Sequence, residues 1–156
     1  MRRVIFGLAA IGMLSGGPVW ADGNTNAVFK VALRGITAGT LTVKGAEIGG
    51  SYQTTGVLKS GGLVGMLRSI TYTAKSKGTV RGNSFRPARY DENADTGKRV
   101  SKTTMTYAGG VPKVVAGETG DLSPASQKGT VDPQTAIYAA FRDVDEANVC
   151  KLNVQM

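Results

Sequence analysis

Most of the chain alternates apolar and polar residues with a period of two, broken at short intervals by glycine pairs, and this pattern admits strands and excludes long helices. Phe29, Val31 and Leu33 alternate with Lys30, Ala32 and Arg34, as a half-buried strand requires. A second run, Thr40 to Lys44, follows a segment bounded by Gly35 and Gly39, whose glycines permit the positive φ of a tight connection. The two runs read as a hairpin. Tyr52 to Leu58 and Ser69 to Val80, rich in Thr, Tyr and Val, are further strands, with Gly78 and Gly82 as punctuation. Phe85 to Tyr90 contains Pro87, which has no N–H for a ladder, so that strand is expected at a sheet edge or to start there. Arg99 to Tyr107 and Val111 to Val115 flank Gly109 and Gly110 as another hairpin, with Pro112 assigning its second arm to an edge. Glu118 to Thr130 has no periodicity and reads as a surface loop.

One helix stands against this β background. Asp132 is placed to cap it and Pro133 to fill its first turn, where a missing N–H costs nothing. Ala136, Ile137, Ala140, Phe141 and Val144 form an apolar stripe expected to pack on the sheet, a lipid- or partner-contacting face being the alternative. Asp143, Asp145 and Glu146 oppose the dipole at a helix C-terminus, which ends the helix near Arg142. Gly61 to Leu67 is the most apolar segment after the N-terminal one and is expected in the core, with a membrane- or ligand-contacting loop as the other reading.

Arg2 and Arg3 precede an apolar run from Val4 to Leu14, then Ser15 to Pro18 and the small-x-small pattern Val19, Trp20, Ala21. The run is shorter than the roughly 20 residues of a membrane span, so residues 1–21 read as a signal peptide cleaved after Ala21, leaving 22–156 as a single β-rich domain in the periplasm. The formal charge of +8 falls to +6 when Arg2 and Arg3 leave with it. The excess lies between Gly56 and Lys102, and Lys75, Lys77, Arg81, Arg86 and Arg89 are the candidate contacts to an anionic surface. In a periplasm that surface is a lipid head group, a lipopolysaccharide phosphate or an acidic partner, not nucleic acid. A solubilising face is the plainer reading of the same residues.

There are 0 histidines and 1 cysteine. The first count excludes Ser-His-Asp and Cys-His catalysis and imidazole-bound metals within the chain. No catalytic, cofactor or metal residue is assigned, and the protein is read as a non-enzyme. Cys150, alone in an oxidising compartment, implies an absent disulfide partner, an intermolecular bridge or a buried thiol, the first being favoured. Asp95, Thr96 and Gly97 spell an aspartic-protease triplet, but that chemistry needs two such carboxylates. Asp91, Glu92 and Asp95 do not match an EF-hand loop and are expected to be solvated loop charges. Val149 to Met156 alternates as a strand that stops without a turn, which fits a truncated chain.

Five blocks then resemble a known family. Phe29, Val31, Leu33, Gly35, Gly39 and Leu41 look like its opening hairpin, Tyr52, Thr55 and Gly56 like its second block, and Phe85, Arg86, Pro87 and Tyr90 like its central motif. Asp132, Pro133, Thr135 and Ala136 look like its helix start, and Cys150 like the cysteine before its late strands. The chain resembles the exported bacterial family catalogued as domain of unknown function 3108. That resemblance implies a mainly β fold in which a curled antiparallel sheet, an open barrel or spiral, packs on one α-helix. It also implies further strands past Cys150 that this chain lacks. The expected function is a periplasmic, envelope-associated protein binding a lipid or lipoprotein-like apolar ligand without catalysis. The alternative is a structural or interaction component that pairs its strand edges or the Cys150 thiol with another envelope protein.

Overall fold

A computed structural model describes residues 23–118, 120–121, 123–142 and 155–156. The expected signal peptide, Val144, Cys150 and nearly all of the final strand lie outside the described residues. Seven strands form one antiparallel sheet in chain order: β1 (Gly23–Leu33), β2 (Ile36–Ile48), β3 (Ser51–Ser60), β4 (Thr71–Arg81), β5 (Ser84–Asp95), β6 (Val100–Ala108) and β7 (Val111–Ala116). The sheet is a meander and is not closed, since β1 and β7 do not pair. Helix α1 (Gly62–Leu67) links β3 to β4, and helix α2 (Pro133–Phe141) packs on β2 to β5. The mainly β architecture with one packed helix is therefore as the residue pattern and the resemblance imply.

The first hairpin turns more tightly than its glycines suggest. Its connection is Arg34 and Gly35 alone, at φ 51° and 81°, a pair of left-handed residues whose twist matches that of the flanking strands. Gly39 belongs to β2 rather than to the turn, and a Cβ there would come within 2.3 Å of the Lys59 carbonyl oxygen. The hairpin at Gly109 and Gly110 forms as expected, and β7, carrying Pro112, is an edge strand.

Pro87 does not make β5 an edge. The strand lies between β4 and β6. The proline is tolerated because β6 pairs only from Arg89 onward, so residues before it have β4 on one side only. The ladder also shifts register there: Lys77 pairs with Arg89 and Gly78 with Pro87, leaving Ala88 as the extra residue of a bulge.

Asp132 caps α2, its carboxylate accepting from the Thr135 N–H at 2.8 Å, with Pro133 in the first turn and Arg142 as C-cap. The buried face coincides only in part with the expected stripe: Ala136 is buried, Ile137 packs at the core margin, and Phe141, though exposed, lies 4.5 Å from the Phe29 ring. Gln134, Thr135, Ala136, Tyr138 and Ala139 are buried, whereas Ala140 and Phe141 are exposed. The core joins Tyr138 to Val43, Tyr52, Val80, Phe85 and Val131, with Phe29, Leu41 and Ile137 at its margin. The seat under the helix explains the difference. Gly45 and Gly56 leave hollows in the sheet, and a Cβ at either would come within 2.2 Å of the Tyr138 ring or 2.1 Å of Gln134 Oε1. A large ring and a long amide fill those hollows, so the helix rotates toward them and away from its most apolar line.

Gly61 to Leu67 is not core either. None of α1 is buried, and Leu63, Met66 and Leu67 are 61, 84 and 89 % exposed. Asp91, Glu92 and Asp95 lie in β5 rather than in a loop, with Glu92 on the face opposite to the other two.

Candidate functional site

The pleat divides the sheet into two faces with different chemistry. The face under α2 holds a buried polar cluster. Asp132 is 1 % exposed, and its Oδ2 accepts from Ser76 Oγ at 2.8 Å and Thr135 Oγ1 at 2.7 Å. Tyr52 OH donates to Thr135 Oγ1 at 2.7 Å, and Gln134 Nε2 donates to Thr54 Oγ1, which donates to the Lys44 carbonyl. With these directions every hydroxyl proton has one acceptor. Burial pushes the Asp132 carboxyl above its ordinary range, opposed by the Thr135 and Ser76 bonds, and pushes the Tyr52 phenol up to about 12. No substrate reaches a group this deep. The cluster secures α2 to β3 and β4 across more than fifty residues of sequence.

A prediction follows for Asp132. Its raised folded pKa means that the native state holds a proton that the unfolded chain, at 3.8, has already released. Stability therefore falls as pH rises from about 3.8 through the folded pKa and is flat above it. Asp132→Asn keeps a capping side chain and removes that segment of the pH profile. Urea midpoints between pH 3 and 7 check this, and identical profiles for the two proteins would show that the carboxylate does not titrate anomalously.

A second cluster on the same face joins Tyr72, Tyr90 and Glu92: the two phenols lie 2.8 Å apart, and Tyr72 OH donates to Glu92 Oε2 at 3.0 Å. Burial pushes Tyr72 up to about 12 and Tyr90 well above its ordinary value, so both remain neutral donors near pH 7.

The opposite, open face is cationic. Lys75, Lys77 and Arg81 of β4 and Arg86 and Arg89 of β5 all lie on it. Spacings of two and four keep the β4 residues on one side, whereas Arg86 and Arg89, three apart, share a side only because the bulge at Ala88 inserts a residue between them. The same face carries Lys30, Lys44, Lys59, Lys102 and Lys113, so among the described residues every Lys and Arg within a strand faces away from α2. Of the strand carboxylates, Asp91 and Asp95 share that face, and Glu47 and Glu92 do not. The five outlying lysines were visible in sequence only as a parity relation, which needs the register of each strand.

Within this face the structure brings Lys77 directly opposite Arg89. Arg89 binds Asp91 through two bonds of 2.6 Å, and Asp91, held below its ordinary range chiefly by that guanidinium, also accepts from Thr104. Lys75 faces Asp91, and Arg86 faces Thr79. Beside Lys77 a shallow open depression of about 450 Å³ is walled by Ala46, Ile48, Gln53, Gly78, Thr79 and Ala88. It is mostly apolar, with an ammonium at its rim. Ile48, 70 % exposed, forms part of its wall.

The Asp95-Thr96-Gly97 triplet has a local purpose. Asp95 Oδ1 accepts from the Gly97 N–H at 2.8 Å and closes the β5–β6 turn. Among the described residues no group of three acidic or cysteine side chains converges as metal ligands. No helix among them is long and apolar enough to cross a membrane.

No curated protein and no solved structure matches the chain. A family model described as "Protein of unknown function (DUF3108)" matches residues 28–149, from β1 through α2 and beyond. The match takes in four of the five sequence blocks, the fifth, Cys150, standing directly after its last residue, and it spans the hairpins, the bulged central strand and the capped helix described above; the chain belongs to that family.

Proposed function

We propose that this protein binds an anionic amphiphile, a lipid or a lipid-bearing envelope component, on the open face of its sheet in the periplasm, without catalysis. The observation that carries the reading is Lys77, which lines the apolar depression and stands directly opposite Arg89 on the neighbouring strand. Like charges directly opposite each other on a sheet destabilise it, so a face that served only solubility gains nothing from that placement. An acidic head group between the two cations would relieve the repulsion while its chain lies along Ala46, Ile48 and Ala88. On the other face α2 already fills the centre with Tyr138 and Gln134.

Lys77→Glu separates binding from folding. The new carboxylate would face Arg89, so stability is expected to hold or rise by up to about 1 kcal/mol, while affinity for dihexanoyl phosphatidylglycerol drops at least about tenfold. Isothermal titration at low salt checks the affinity and thermal melts check the stability. Native mass spectra of the protein from the periplasm, before and after organic extraction, test for a retained lipid. Unchanged affinity in the variant, with a bare mass in the spectrum, would refute the proposal.

A second reading rests on the edges. β1 runs eleven residues and, among the described residues, has a neighbour on one side only. A long edge of this kind is a template for strand addition by a partner. A stable complex without lipid would favour it.

A further inference from the structure

The connection between β3 and β4 does not behave like the others in the meander. Two residues suffice at Arg34–Gly35 and Gly109–Gly110, yet here the chain spends the stretch from Gly61 to Ile70 and builds α1. The helix is firmly held. Gly61 N–H donates to the Ala38 carbonyl and Ser60 N–H to that of Ile70, each at 2.9 Å, while Ser60 Oγ bridges the Arg68 carbonyl and the Ile70 N–H. Gly62 faces β2 so closely that a Cβ would come within 2.5 Å of the Thr37 carbonyl, and Gly65 packs in the same way on Ser60.

This orientation inverts that of an ordinary surface helix. The residues turned inward are glycines, whereas Leu63, Met66 and Leu67, spaced i, i+3, i+4, form an apolar stripe turned to solvent. The stripe has apolar neighbours at the same end of the sheet: Leu33 and Ile36, at the β1–β2 turn, are 66 and 51 % exposed. The surround is cationic. Arg34 lies in that turn, Arg68 caps α1 and lies against Gly97, and Lys98 and Arg99 follow in the β5–β6 turn. Of the acidic groups at this end, Asp95 accepts from the Gly97 N–H and Glu118 pairs with Arg99.

We propose that this end of the sheet docks on an anionic bilayer, with Leu63, Met66 and Leu67 entering the interface and Arg34, Arg68 and Lys98 contacting head groups. A protruding stripe rimmed by one sign of charge matches a membrane surface, where apolar burial and attraction to anionic lipid act together. A partner protein would need a groove and acidic rim of its own. The proposal is distinct from ligand binding beside Lys77, because it concerns the sheet's end and a bilayer rather than a single molecule on the open face.

The test places a reporter on the stripe. In the protein purified from the periplasm, which with cleavage after Ala21 no longer carries Trp20, the single Trp of the sequence, Leu67→Trp is expected to shift its emission to the blue with phosphatidylglycerol vesicles. Brominated lipids should quench it, and pure phosphatidylcholine should do much less. Leu63→Asp with Leu67→Asp is expected to lower vesicle partitioning at least about 30-fold, with an unchanged circular dichroism spectrum because both side chains are exposed. The same double variant should keep its affinity for dihexanoyl phosphatidylglycerol, which separates this proposal from the other. Emission that stays at its aqueous wavelength with every vesicle would overturn it, as would a stripe found to mediate a dimer abolished by the aspartates.

Discussion

Replacing Arg142 by alanine is expected to lower the unfolding free energy by about 3–5 kcal/mol, the scale for stranding one charge of a buried pair. The guanidinium caps the end of α2 onto two distant parts of the sheet. Nη1 donates to Glu47 Oε1 at 2.5 Å, and Nη2 donates to the Gly82 carbonyl and to Asn83 Oδ1 at 2.7 and 2.8 Å. The group also lies 4.7 Å over the Phe85 ring. Its side chain is 8 % exposed and that of Glu47 11 %, so removal leaves a carboxylate in the interior without its cation. Arg142→Lys should recover only part of the loss, because an ammonium cannot serve three acceptors with a planar fork. The contrast is Arg99→Ala: its pair with Glu118 is 62 and 83 % exposed, and solvent and salt screen pairs of that kind, so little loss is expected. Urea titrations followed by circular dichroism check both variants. Equal small losses would mean that the buried pair does not fasten the helix.

The parts of this architecture that were legible in sequence are those written in local chemistry. Alternation in the first two runs, and β-forming composition with glycine punctuation in the rest, located the seven described strands, because these signals act within a few residues. Asp132 and Pro133 located α2, because a cap acts within one turn. What stayed hidden depends on partners far away in the chain. The buried face of α2 is set by Gly45 and Gly56, some ninety and eighty residues earlier, whose missing side chains read locally as punctuation. Pro87 by itself demands an edge; only the bulge at Ala88 and the late start of β6 lift that demand. Gly61 to Leu67 reads as core by composition, yet its glycines take the inside position and its leucines the outside. The candidate cations were identified as a cluster, but their assembly on one face required the register of the β4–β5 ladder. Here, too, the bulge decides, since without it Arg86 and Arg89 would point apart.

Bulge and hollows together explain how a sheet with a single packed helix can present a second, cationic face. The helix-bearing side takes most of the aromatic side chains and the buried hydrogen-bond network, so the other side is free to accumulate like charge. That face tolerates the repulsion because the opposite one supplies the stability. A defect in the seat of α2 therefore ought to be felt in the fold and not in the chemistry of the open face.

Gly45→Ala is the sharpest probe of that seat and is expected to cost about 3 kcal/mol, toward the upper end for overpacking a filled interior. Its Cβ would come within 2.2 Å of Tyr138 Cε2 and 2.8 Å of Cζ. The ring cannot swing away, being 1 % exposed, stacked on Tyr52 at 6.2 Å and set edge-on to Phe85 at 6.2 Å. The helix must lift instead, and the Tyr52–Thr135–Asp132 bonds stretch with it. Gly23→Ala is the control: nothing lies within 4 Å of its Cβ, and a change within about 0.5 kcal/mol is expected at such a site. Tyr138→Leu supplies the decisive background. Shortening the ring empties the space that the methyl needs, so Gly45→Ala should then cost under about 1 kcal/mol, a coupling of the size seen between residues in direct contact. A cost that is the same in both backgrounds would show that Gly45 is required for its backbone alone, and the packing account of why α2 turns its polar face to the sheet would fail with it.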